Sequence, residues 1–156
     1  MKFDGLGKPL LIAFGAALLF YVGFYSLDAH LRVRKGPWQV TFTSDGTNAP
    51  SIRINEPKLG IANVKIVFAG ETTPALTNTV VFDTPAKSTP FGERIYDDLM
   101  ILPGAVTFNL FGHGVELLPR TLIVNTRQVA WQSDTMIELK PSEKPAVKPA
   151  PKSSRR

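Results

Sequence analysis

The sequence predicts an all-β fold, a single small sandwich of the immunoglobulin-like or jelly-roll-like kind, preceded by one transmembrane helix and followed by a disordered tail. Three observations carry this. A nineteen-residue run without charge, Pro9 to Leu27, lies near the start of the chain. After Gly36-Pro37 the hydrophobic pattern changes to alternation, which is the period of a half-buried strand. From Pro141 on, the chain is rich in Pro and Lys, with Val147 as its one large apolar residue. The boundaries read as a flank 1–8, an anchor 9–27, a basic linker 28–36, a sandwich 37–139 and a tail 140–156.

The run Pro9–Leu27 contains ten Leu, Ile, Phe or Val residues. As a helix rising about 1.5 Å per residue it reaches roughly 28 Å, close to the hydrocarbon thickness of a bilayer. Those ten residues favour insertion by about 0.3–0.6 kcal/mol each. Tyr21, Phe24 and Tyr25 gather toward one end, where an aromatic belt would lie. A cleaved signal peptide would need small residues at its cut site, and the best candidate, Leu27-Asp28-Ala29, places Leu where a small residue belongs. Apolar residues on all sides of the helix argue against a core helix of a soluble domain, so an uncleaved anchor is expected.

The strands are read in order. Trp38, Val40 and Phe42 alternate with Gln39, Thr41 and Thr43, and Asp45–Pro50 forms a turn cluster. Ile52 and Ile54 follow, and Glu56–Gly60 breaks the chain. Ala62, Val64, Ile66 and Phe68 form the next inward face, with Asn63 and Lys65 outward. Val80–Phe82 reads as a short strand. The stretch Arg94–Leu102 fits either a helix or a strand. Val106, Phe108 and Leu110 then lead to Gly112-His113-Gly114, a predicted hairpin tip, from which Val115 and Leu117 return. Leu122 with Val124, Val129 with Trp131, and Ile137 with Leu139 complete about seven or eight strands, spaced as in a sandwich. Trp38, Phe42, Phe68, Phe108 and Trp131 are expected to dominate the core.

The net charge of +5 is unevenly spread. Residues 1–35 hold five Lys/Arg against two Asp/Glu, a net of +3; residues 36–139 hold seven against ten, a net of −3; residues 140–156 hold six against one, a net of +5. The body is acidic and the ends are basic, which disfavours a nucleic-acid-binding face on the domain.

The chain contains no Cys, so disulfides, thiolate metal sites and a cysteine nucleophile are excluded. Of the two histidines, His30 reads as a solvated flank residue and His113 as a polar tip residue, with Glu116 the nearest carboxylate in sequence. Glu93, Asp97 and Asp98, with Asp83, are the densest acidic group but lack the spacing of a calcium loop. No Gly-x-Ser-x-Gly elbow or phosphate loop occurs. No catalytic residue, cofactor site or metal site is therefore assigned, and the protein reads as a non-enzyme. Trp38, Phe91, Tyr96 and Trp131 are a candidate aromatic platform for sugars.

The function expected is a single-pass module held at the bacterial inner membrane, serving as a binding or assembly component of an envelope complex. Its partners would be the bilayer and a membrane or envelope protein. Candidate partner contacts are Phe91, Tyr96, Asp97 and Asp98 in the body and Lys144, Lys148 and Lys152 in the tail. The tail would add contacts to acidic polymer or lipid headgroups. The Lys/Arg flanks of the anchor are almost balanced, and a periplasmic domain is expected by analogy with other N-terminally anchored β domains. Two alternatives differ in class: a tethered carbohydrate- or cell-wall-binding module, and a cytoplasm-facing protein whose tail contacts RNA or the ribosome.

Overall fold

In the computed structural model, which describes residues 7–33, 36–84, 88–100 and 102–146, one helix is followed by ten strands in two sheets. Helix α1 runs Gly7–Val33, longer at both ends than the apolar run requires. Its stretch Gly7–Asp28 is long and apolar enough to cross a membrane, and none of it is buried against the strands. The large apolar side chains of this stretch, among them Phe14, Leu19, Phe20 and Tyr25, stand exposed.

The first sheet contains β1 (Trp38–Ser44), β2 (Ser51–Glu56), β3 (Ile61–Phe68), β4 (Leu76–Phe82) and β10 (Met136–Leu139), in the order β10-β3-β2-β1-β4. All its pairs are antiparallel except β10 with β3. The second sheet is an antiparallel meander of β5 (Gly92–Asp98), β6 (Ala105–Leu110), β7 (His113–Leu118), β8 (Thr121–Val124) and β9 (Arg127–Val129). Alternation on both inner faces supplies the core: Trp38, Val40, Phe42, Ile52, Ile54 and Phe82 from one sheet meet Val106, Phe108, Leu110, Val115, Leu117 and Leu122 from the other. Ring contacts tie the layers, with Phe42 and Phe82 edge-on to Phe108 at 6.4 and 5.4 Å. The predicted all-β sandwich behind an apolar helix is the fold observed.

Several local expectations change. Ile61 rather than Ala62 begins the inward face of β3, because Asn63 takes a positive φ of 55° and the pairing with β2 shifts register between Ile54 and Glu56. Strand β4 begins at Leu76, well before Val80. Its first half is exposed and held by backbone pairing to β1 and by the Thr41–Thr79 hydroxyl contact at 2.9 Å. Of the ambiguous stretch Arg94–Leu102, the part Arg94–Asp98 belongs to strand β5, with a bulge between Arg94 and Tyr96; Ile101 lies outside the described residues.

His113 is not at a hairpin tip. Leu110 pairs with His113, so the two-residue turn is Phe111-Gly112, both with positive φ, and His113 opens β7 fully buried. The same turn geometry recurs at Asn125-Thr126 between β8 and β9. Trp131 follows β9 rather than lying in it; its ring packs against that of Trp38 at 5.2 Å, tilted by 32°, and its indole donates to the Leu118 carbonyl at 2.8 Å.

The strand directions define two ends of the sandwich. The chain enters at Trp38, so one end, here called proximal, collects the β2–β3, β5–β6 and β7–β8 connections. The other, distal end carries the turns Asp45–Pro50, Phe111-Gly112 and Asn125-Thr126.

Candidate functional site

Two regions of the sandwich offer chemistry or contact surface. The first is distal. His113 is sealed from solvent, with its ring 5.9 Å from that of Phe68 and its Nδ1 hydrogen-bonded to the Asn125 amide at 2.9 Å. Asn125 also accepts the Gly114 N–H through Oδ1, so one amide fastens the two type I′ hairpins together. His113 Nε2 has no hydrogen-bond partner among the described residues. Burial, followed by the nearby charge of Lys144, lowers the pKa of His113, so the neutral ring is the form the fold holds.

Above this hairpin the chain is clasped. Pro141–Glu143 form a single 3-10 turn, in which the Glu143 carboxylate accepts the Lys140 N–H at 2.9 Å. Pro141 lies over Gly70, where an added Cβ would stand only 3.0 Å from its ring. The stem of Lys144 lies over Gly112, and Lys144 Nζ donates to Glu71 Oε1 at 2.6 Å. Beside the clasp, the free edges of β9 and β10 border a cleft of about 310 Å³, with Val124, Val129, Ile137 and Leu139 as floor and Arg127 and Glu138 at the rim.

The second region is β5, an edge strand of the second sheet with both faces largely open. Ile95, the bulged residue, and Tyr96 are 63% and 56% exposed. Asp97 pairs with Arg94 at 3.2 Å, and Asp98 Oδ1 accepts the Met100 N–H at 3.2 Å. A bulge and paired charges on an edge oppose indiscriminate strand addition.

Of the candidate contacts, β5 brings Tyr96, Asp97 and Asp98 together. Phe91, just before the strand, has a positive φ of 68° and turns its ring onto Phe42 and Phe111, each at 5.4 Å, so it serves the core edge. Lys144 belongs to the distal clasp, while Lys148 and Lys152 lie outside the described residues. The sugar platform is not assembled: Trp38 is buried, Trp131 and Phe91 pack against the core, and Tyr96 stands on β5 apart from them. Among the described residues no group of three His, Asp or Glu side chains is placed to hold a metal ion.

Sequence reasoning missed Glu56, Glu71 and Asn125. Glu56 is almost completely buried at the end of β2; its Oε1 accepts the Lys58 N–H at 2.9 Å, while Oε2 has no partner among the described residues. Burial raises its pKa, against the pull of the Lys58 and Leu59 N–H groups. The capping position before Pro57 was the available signal for Glu56. Asn125 was signalled by the turn pair Asn-Thr, and Glu71 only by the tertiary fold.

Fold and surface together define a two-layer β-sandwich carried behind an apolar helix. Compared with known proteins, the chain matches no family model, no curated protein and no solved structure.

Proposed function

We propose that the chain is a single-pass, membrane-anchored β-sandwich that acts as a non-catalytic binding or assembly component of a bacterial envelope complex, with the sandwich on the periplasmic side of the inner membrane. The observation that carries this reading is the division of labour between helix and strands. Among the described residues, the buried hydrophobic core is built from residues between Trp38 and Leu139, and the apolar span Gly7–Asp28 contributes nothing to it. A helix apolar on every side and unused by the core needs another apolar medium, and its length suits a bilayer.

A non-catalytic role is supported by the setting of His113. General base chemistry needs a reachable imidazole, commonly oriented by a carboxylate, whereas this ring is sealed and its partner is an amide. The partner surface in this reading is β5, where Ile95 and Tyr96 present apolar area beside Asp97 and Asp98. The basic residues past Lys144 add charge contacts to acidic polymer or lipid headgroups.

A photo-crosslinking residue at position 96 in the full chain, expressed in its own membranes, tests the proposal. The expected product is a discrete adduct with a membrane or envelope protein, absent when the crosslinker stands at Met136 on the opposite edge. No adduct from position 96, together with unchanged membrane complexes after deletion of residues 36–146, would overturn it.

A further inference from the structure

We infer that Met100, which follows β5, docks the sandwich onto the surface of the same bilayer that holds the anchor. The inference rests on the anchor reading and adds an attitude for the domain: proximal end down, with Met100 in the headgroup layer.

The chain enters the sandwich between two loops. Gly36 sits against the stem of Lys58 in the 3-10 turn Pro57–Leu59, an added Cβ there lying 3.5 Å from Lys58 Cδ. Two residues later the indole of Trp38 donates to the carbonyl of Gly104 at 2.7 Å, which pins the far end of the β5–β6 loop beside the point of entry. The near end is fixed by the pairing of Asp98 with Ala105. The loop is therefore held at the end of the sandwich from which the anchor departs.

The tether is short. Helix α1 continues five residues past Asp28, about 7.5 Å at the helical rise, and Trp38 lies five residues beyond Val33, at most roughly 18 Å of extended chain. Trp38 therefore stays within about 25 Å of the hydrocarbon edge, with a headgroup layer of roughly 5–7 Å between them. Within that reach Met100 is 92% exposed, the most exposed large hydrophobic residue described, and Leu99 and Leu102 beside it are half-buried. A lone exposed apolar residue is ordinary on a free surface. Here the apolar medium is attached to the same chain, so contact is intramolecular and a small contact area suffices.

Charge at this end is balanced and does not drive the contact. Lys58 and Arg120 are exposed at this end, alongside Asp83 and Asp134, while Asp98 is occupied with the Met100 N–H. Exposed Met100 is thus the determining feature, and the occupant is lipid. The distal cleft beside β9 and β10 has no comparable indication of what would fill it.

The absence of native cysteine makes the test direct. Single cysteines at positions 22, 72 and 100 of the full chain are labelled with an environment-sensitive fluorophore. The protein is reconstituted in vesicles of phosphatidylcholine and phosphatidylglycerol in equal parts. Quenching by lipid-borne nitroxide is expected at 22 and 100, and quenching by aqueous iodide only at 72, which replaces Thr72 in the distal β3–β4 loop. To separate the loop from any pull of the dye, a label at Thr84, at the proximal end of β4, reports with Met100 native or changed to Asp; M100D is expected to reduce its lipid quenching severalfold. Iodide access at 100 equal to that at 72, with lipid quenching retained at 22, would overturn the docking alone. Loss of lipid quenching at 22 would remove the anchor reading and the docking with it.

Discussion

The indole of Trp38, first residue of the first strand, donates a 2.7 Å hydrogen bond to the carbonyl of Gly104, sixty-six positions away. It joins the point where the chain enters the sandwich after the apolar helix to the loop between β5 and β6. Both atoms are buried, so the bond has no competition from water.

Trp38→Phe keeps most of the ring but leaves the Gly104 carbonyl unsatisfied. The expected loss is about 1–3 kcal/mol of unfolding free energy, measured by urea denaturation of the sandwich. A variant as stable as the parent would show that the bond does not fasten the loop.

Gly104→Ala attacks the same junction sterically. A Cβ there would overlap the Asp98 carbonyl, a backbone atom with little room to move. The expected cost is about 3 kcal/mol or more. Gly60→Ala, where the added Cβ meets nothing but φ is +72°, should cost only about 1 kcal/mol.

His113 gives the sandwich a defined response to acid. Its pKa in the fold lies below the ordinary value near 6.5, because burial and Lys144 disfavour the charged ring. As pH falls below about 6.5 the unfolded chain takes up a proton that the fold refuses, so stability declines until pH passes the lowered value. His113→Asn should flatten that part of the stability profile, whatever uniform cost it adds. A profile of unchanged slope between parent and variant would assign the acid response elsewhere.

Glu56 has the opposite sign. Its carboxyl is protonated more readily in the fold than in the unfolded chain, so it costs stability as pH rises from about 4.5 through the raised value. Glu56→Gln keeps an oxygen for the Lys58 N–H and removes the buried charge. The variant is expected to melt higher than the parent at neutral pH, with the gain vanishing toward pH 4. A lower melting temperature at neutral pH would contradict this.

The central strands were legible because their two faces differ in polarity. Trp38, Val40 and Phe42, or Val106, Phe108 and Leu110, show the alternation in the residues themselves. Elements whose reason for existing is a neighbour were not legible. Thr77-Asn78-Thr79 is polar on both faces and is a strand because β1 offers its backbone. Strand β10 was legible as a strand from Ile137 and Leu139, but its parallel pairing with β3, a partner about seventy positions earlier, was not. His113 was misread because glycines on both sides suggested a tip. The true turn puts Phe111 at a positive φ, which its ring contacts with Phe68 and Phe91 support. The candidate surface was half legible: Tyr96, Asp97 and Asp98 share β5, whereas Phe91 and Lys144 are engaged in packing and in the clasp with Glu71.

The central claim is that Gly7–Asp28 remains attached as a membrane anchor. Alkaline carbonate extraction of membranes from cells making the native chain, followed by intact mass measurement, tests it most directly. The account predicts a pelleted species whose mass includes the helix. A soluble species that has lost the apolar span and begins near His30 would contradict it.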